Sequence, residues 1–269
     1  MLLLTPMLAA CARPQPPPAP PPSPAEQVRR IAAPSVVNLV GFTLDRTIDE
    51  LRPADSGSAV AVSADVFLTD CRNLVGADVV ALATDRGVGL AVLDPEYYGE
   101  DICVLRSQEI VGVPVKGVRD AATVRPGEQV FAVADPEGDG PTLRPAVITA
   151  RQHDEVATWL QTTIAVTSGW SGGAIFDAQG NLLGLAMRPR GIAGRQVAAF
   201  SLDAPLLPTR LARVGSDDAQ GSDRLLAIVL PALAPSPADT SAGSLSALQP
   251  TQRASLDRFF MQRDRANGD

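Results

Sequence analysis

The chain reads as an all-β protein, a sandwich or barrel, on three observations. Short apolar runs recur along it, Gly, Pro, Asp and Asn punctuate them, and long helical periodicity is absent until the C-terminus. Residues 25–32 (AEQVRRIA) are compatible with a short helix that precedes the strands. Apolar runs then fall at 35–41, 58–62, 79–83, 88–93, 129–133, 146–149 and 182–186, each short enough for a strand. Near the end, residues 251–265 (TQRASLDRFFMQRDR) suit a helix with Leu256, Phe259 and Phe260 on one face. That face is free to dock on the body or on a partner.

Composition narrows the function. Of 269 residues, 45% are hydrophobic and 20% charged, enough apolar matter for a buried core. The net charge of −7 argues against nucleic acid as the main partner, because phosphate binding needs a basic face. A single histidine, His153, excludes zinc sites built on two or more histidines and leaves few options for a general base. The cysteines Cys11, Cys71 and Cys103 show no CxxC spacing. No cofactor and no metal are therefore expected.

Residues 1–11 (MLLLTPMLAAC) are apolar and end in small residues before Cys11, like a bacterial lipobox. The reading is a lipoprotein signal peptide with Cys11 lipidated. The run is short, contains Pro6 and has no positive residue ahead of it, unlike an ordinary signal peptide. Residues 12–24 are mostly proline, an extended spacer between anchor and domain. These features place the chain in a bacterial cell envelope, at the periplasmic side of the outer membrane.

The most informative motif is QTTIAVTSGWSGGAIFDAQGNLLGL, residues 161–185. It resembles the nucleophile segment of chymotrypsin-like bacterial serine proteases, the high-temperature-requirement group among them, whose pattern is QT…GNSGGPL. Residues 67–78 (FLTDCRNLVGAD) match that family's histidine segment, (I/V)LTNxHVVxGAD, without a gap. Residues 101–105 (DICVL) match its aspartate segment. The order of histidine, aspartate and serine positions is that of chymotrypsin-like enzymes. The resemblance implies two six-stranded antiparallel β-barrels, at about residues 33–110 and 120–206 of a domain spanning 25–214. A C-terminal extension, partly flexible, follows at 215–269. That extension is short for the peptide-binding domain that follows the protease in the high-temperature-requirement group.

By the same resemblance Ser171 is the nucleophile position and Asp101 the triad acid. Gly169 and Ser171 supply the oxyanion-hole amides, and Gly172 and Gly173 permit the tight backbone. The histidine position holds Arg72, which has five donors and no acceptor and cannot take a proton. Neighbouring Asn73 is not basic either. Trp170 stands in place of Asn or Asp, where an indole is expected to block or distort the oxyanion hole; Ala174 stands in place of proline. Asp101 is expected to pair with Arg72, the alternative being Arg72 in solvent and Asp101 on backbone amides. His153 lies in the loop-like stretch 151–155, where the family places no catalytic group. The family's histidine and aspartate segments meet, so Cys71 and Cys103 are expected to form a disulfide, which suits an oxidising compartment. Two reduced thiols would instead suit the cytosol.

Gly169 to Gly173 also satisfies G-x-S-x-G, but residues 174–187 read as strand, turn, strand rather than helix, and no histidine follows. Three functions stay open: a pseudoprotease that binds a protein or peptide, a serine endopeptidase with an unidentified base, and a structural envelope lipoprotein.

Overall fold

The computed structural model describes residues 21–94, 102–153, 158–167, 169–187, 198–201 and 244–267. The chain enters through helix α1, Pro24–Ala32. Ser23 caps it: its hydroxyl accepts from the Glu26 amide and the Glu26 carboxylate accepts from the Ser23 amide, while Pro24 sits where no helical amide is needed.

Six strands follow: β1 (Val36–Asp45), β2 (Glu50–Ala61), β3 (Val66–Asp70), β4 (Val79–Thr84), β5 (Gly87–Leu93) and β6 (Ile102–Arg106). They close into an antiparallel barrel in the order β1-β2-β3-β6-β5-β4. Six more are β7 (Gln129–Ala134), β8 (Thr142–His153), β9 (Thr158–Thr162), β10 (Ala174–Phe176), β11 (Leu182–Met187) and β12 (Ala198–Ser201). These close as β10-β11-β12-β9-β8-β7. The fold is the two-barrel, all-β architecture of the chymotrypsin-like proteins.

Alternation along the strands divides the apolar residues among four cores. Leu39, Ala59, Phe67 and Leu82 fill the first barrel. Val130, Ala132, Ile148 and Leu160 fill the second. The opposite faces of both barrels meet under α1, where Val60 and Leu68 of one pack with Phe131, Val133 and Leu185 of the other. The fourth core lies on the outside of the first barrel. Helix α2, Pro250–Asn267, lays Leu256 and Phe260 over Val40, Phe42 and Leu90. The apolar face of the tail therefore docks on the body.

Polar contacts fix that helix. Asp49, in the β1–β2 turn at φ 54°, accepts from the Thr251 hydroxyl at 2.8 Å and the Gln252 amide at 2.7 Å. Ser255 accepts from the Leu51 amide at 2.9 Å. Near the other end, Arg263 donates to Asn38 at 2.9 Å and lies over the Phe260 ring.

Two strands run further than their apolar patterns. The polar stretch Glu50–Gly57 belongs to β2, paired with β1 across a register shift at Gly41/Phe42 that accommodates Pro53. Residues 151–153 are not loop: β8 continues through His153, which pairs with Thr158 of β9. Arg151 anchors this end by donating to the carbonyls of Ala122 and Val124. Residues 215–243 of the C-terminal extension, the signal peptide and most of the proline-rich spacer lie outside the described residues.

Candidate functional site

Strand β3 ends at Asp70, whose extended backbone delivers the chain into a short 3-10 turn, Cys71–Leu74. The Asp70 carboxylate caps that turn by accepting from the Arg72 amide at 3.0 Å. The Arg72 side chain folds back onto the same carboxylate. Its Nε lies 3.0 Å from Oδ1 and its Nη2 2.8 Å from Oδ2. This is the planar two-pronged pairing that a guanidinium makes with a carboxylate. Asp70 is fully buried, and Arg72 keeps a quarter of its side chain in solvent.

The other barrel contributes Ser171, from the turn that leads into β10. Its hydroxyl donates to Asp70 Oδ2 at 2.5 Å, and the residue has no exposed surface. The Ser171 carbonyl accepts from the Ser58 amide and from Asn73 Nδ2, each at 2.9 Å. Ser58 also donates its hydroxyl to the Gly169 carbonyl at 2.8 Å and accepts from the Asp135 amide at 2.9 Å. Gly172 must be glycine. Its φ is +81°, and a Cβ there would stand 2.2 Å from the Ser58 carbonyl oxygen and 2.4 Å from Thr69 Oγ1.

This arrangement revises several expectations. Arg72 directs its guanidinium to Asp70; Asp101, the partner expected for it, lies outside the described residues. The Gly169 amide, assigned to an oxyanion hole, donates to the Ser56 carbonyl at 3.3 Å. A donor already engaged by a backbone carbonyl is not aimed at a developing negative charge. Trp170 does not fill the space beside the serine. It is 2% exposed and belongs to the buried apolar cluster of the second barrel. Arg144 covers the ring at 4.1 Å.

Cys71 and Cys103 form the expected disulfide. Thr69 is opposite Cys103 in the β3–β6 ladder, so the bridge ties the turn carrying Arg72 to β6. After Ser171 the chain runs as β10, a turn at Gly180 and β11, so no nucleophile elbow is present.

The two barrels and the segment order agree with the comparison to known proteins. Residues 55–185 match the family model described as a trypsin-like peptidase domain. That match and the two-barrel fold support a trypsin-like peptidase domain over those residues. Among curated relatives, the serine endoprotease DegS of Haemophilus influenzae is 24% identical over 186 residues, 63% of this chain and 53% of that protein. A probable periplasmic DegP-like serine endoprotease of Rhizobium meliloti is 31% identical over 143 residues, 50% of this chain and 28% of that protein. The matches thus span about half the length of these relatives or less. Among solved structures, the HtrA-type protease AlgW with tripeptide superposes with a TM-score of 0.56 at 28% identity, covering 72% of this chain and 65% of that one.

Within the peptidase domain, Asp70 is the site residue that motif matching passed over. The signal was present: in (I/V)LTNxHVV the position of Asp70 is asparagine, so a neutral amide has become a carboxylate two residues before the arginine. What that carboxylate holds is visible only once the barrels pack.

Proposed function

We propose that this chain is a pseudoprotease: a trypsin-like peptidase fold retained as a protein- or peptide-binding module in the bacterial cell envelope, tethered by a lipid on Cys11. The observation that carries this reading is the Ser171 hydroxyl. It is buried and donates to Asp70, whose carboxylate is also held two-pronged by the Arg72 guanidinium. A serine becomes nucleophilic when an adjacent base draws off its proton as it attacks. Here the group that meets the hydroxyl is a carboxylate already bound to a guanidinium. Arg72, at the position of the histidine, has no acceptor. The one histidine of the sequence ends β8. The envelope location is supported by the periplasmic name of the DegP-like relative and by the lipobox-like run before Cys11.

The test is active-site labelling. The chain and its Ser171→Ala variant are treated with a fluorophosphonate probe, beside an active trypsin-like protease. Labelling equal to the Ser171→Ala background is the expected result. Labelling that depends on Ser171 would overturn the reading and restore the serine endopeptidase.

A further inference from the structure

We infer that Asp70 and Arg72 form a matched pair that turns the Ser171 loop into a brace between the two barrels. The serine is then kept for what it holds rather than for what it attacks. The inference rests on the non-catalytic reading only in that a braced hydroxyl does not attack; its test is independent.

Asp70 closes β3 of the first barrel and Ser171 precedes β10 of the second, 101 residues later. Their 2.5 Å contact joins a neutral donor to a buried carboxylate, and bonds of this kind are stronger than those between neutral groups. The ties around it run the same way. Ser58 and Asn73 of the first barrel hold the Ser171 carbonyl, Ser58 holds the Gly169 carbonyl, and Ser56 accepts from the Gly169 amide. Asn38 of β1 donates to the Asp135 carbonyl at 2.8 Å beside them. The loop is thus bonded to the opposite barrel at both Gly169 and Ser171.

The pairing is reciprocal in its electrostatics. A carboxylate at position 70 without the Arg72 guanidinium would be a buried charge held, among the described residues, by one hydroxyl and one backbone amide, which is costly. Without Asp70, Arg72 would lose every partner that its guanidinium has among the described residues. The motif that the segment resembles has asparagine and histidine at these places. Each change makes physical sense in the presence of the other, and Ser171 supplies the remaining donor.

The experiment is thermal unfolding of the full chain, followed by circular dichroism, for Ser171→Ala, Arg72→Ala and the double variant Asp70→Asn/Arg72→Ala. Ser171→Ala is expected to lower Tm by roughly 4–8 °C, as loss of a hydrogen bond to a charged group should in a domain of this size. Arg72→Ala is expected to lower it further, and adding Asp70→Asn is expected to restore part of that loss, because it removes the orphaned charge. A Ser171→Ala variant as stable as the parent, or more stable, would overturn the brace. So would a double variant less stable than Arg72→Ala alone. If Arg72→Ala fails to fold, a folded double variant supports the pair and an unfolded one refutes it. Probe labelling of the parent decides the non-catalytic reading separately, whatever the melting temperatures show.

Discussion

Phe260→Ala tests whether helix α2 is part of the domain or an appendage. Phe260 is 5% exposed and covers Phe42, which has no exposed surface, with ring centroids 6.1 Å apart. Phe259 meets Phe260 edge-on at 5.1 Å, and the Arg263 guanidinium lies 4.6 Å from the Phe260 centroid. Truncation removes the ring and leaves a void that flanking strands of a closed barrel cannot easily fill. A buried phenylalanine lost in this way costs about 3–5 kcal/mol. The aromatic and cation–π contacts account for about 1–2 kcal/mol of that. A domain's total stability is about 5–15 kcal/mol, so this one side chain should move the unfolding transition far. With a urea m-value of about 2 kcal/mol/M the midpoint should fall by roughly 1.5–2.5 M. The control is Met261→Ala, one residue along and 56% exposed, which should change stability by no more than about 0.5 kcal/mol. Equilibrium urea unfolding followed by tryptophan fluorescence reads both. If Phe260→Ala proves as harmless as Met261→Ala, the helix does not belong to the cooperative unit and the reasoning fails.

Two further outcomes are expected. The Cys71–Cys103 bridge closes a loop with a sequence separation of 32, for which chain entropy gives about 3–4 kcal/mol; replacing both buried cysteines with alanine should lower stability more under oxidising than under reducing conditions, by about that amount, in the same urea assay. Asp135 is buried, and desolvation holds its carboxyl above the ordinary value of 3.8 despite the Gly138 and Gly140 amides that it accepts from. A folded-state value raised above the unfolded one means that stability is fully present below the unfolded value and is lost as pH rises through the folded one. Asp135→Asn should therefore be more stable than the parent at neutral pH, with the gap closing as pH falls toward 3.8; a gap that widens on acidification would contradict this.

The strands β1, β4, β5, β7 and β11 were legible because their apolar runs are short and bounded by turn residues. The first half of β2 was not. Its residues are polar and partly exposed, and pairing with β1 alone makes them strand. The direction of Trp170 was equally hidden. A glycine on one side and the serine on the other carry no information about which cavity the ring enters. That is settled by the apolar cluster of the second barrel, whose members come from separate segments. The C-terminal helix was visible as a pattern with an apolar face, while the surface that receives it is built from β1, β2, β4 and β5, far away in sequence.

For the site, the sequence by itself showed Arg72 where the resembled motif has histidine, Ser171 where it has serine, and, through that motif, the adjacency of Cys71 and Cys103. These follow from residue identity at short spacing. Tertiary structure alone decided that Ser171 is buried, that its hydroxyl donates a hydrogen bond to Asp70 and that Arg72 turns to Asp70. The physical reason is that a hydrogen bond across 101 residues depends on how two closed barrels pack. A local motif names the groups in each half of such a contact and leaves their meeting to the fold.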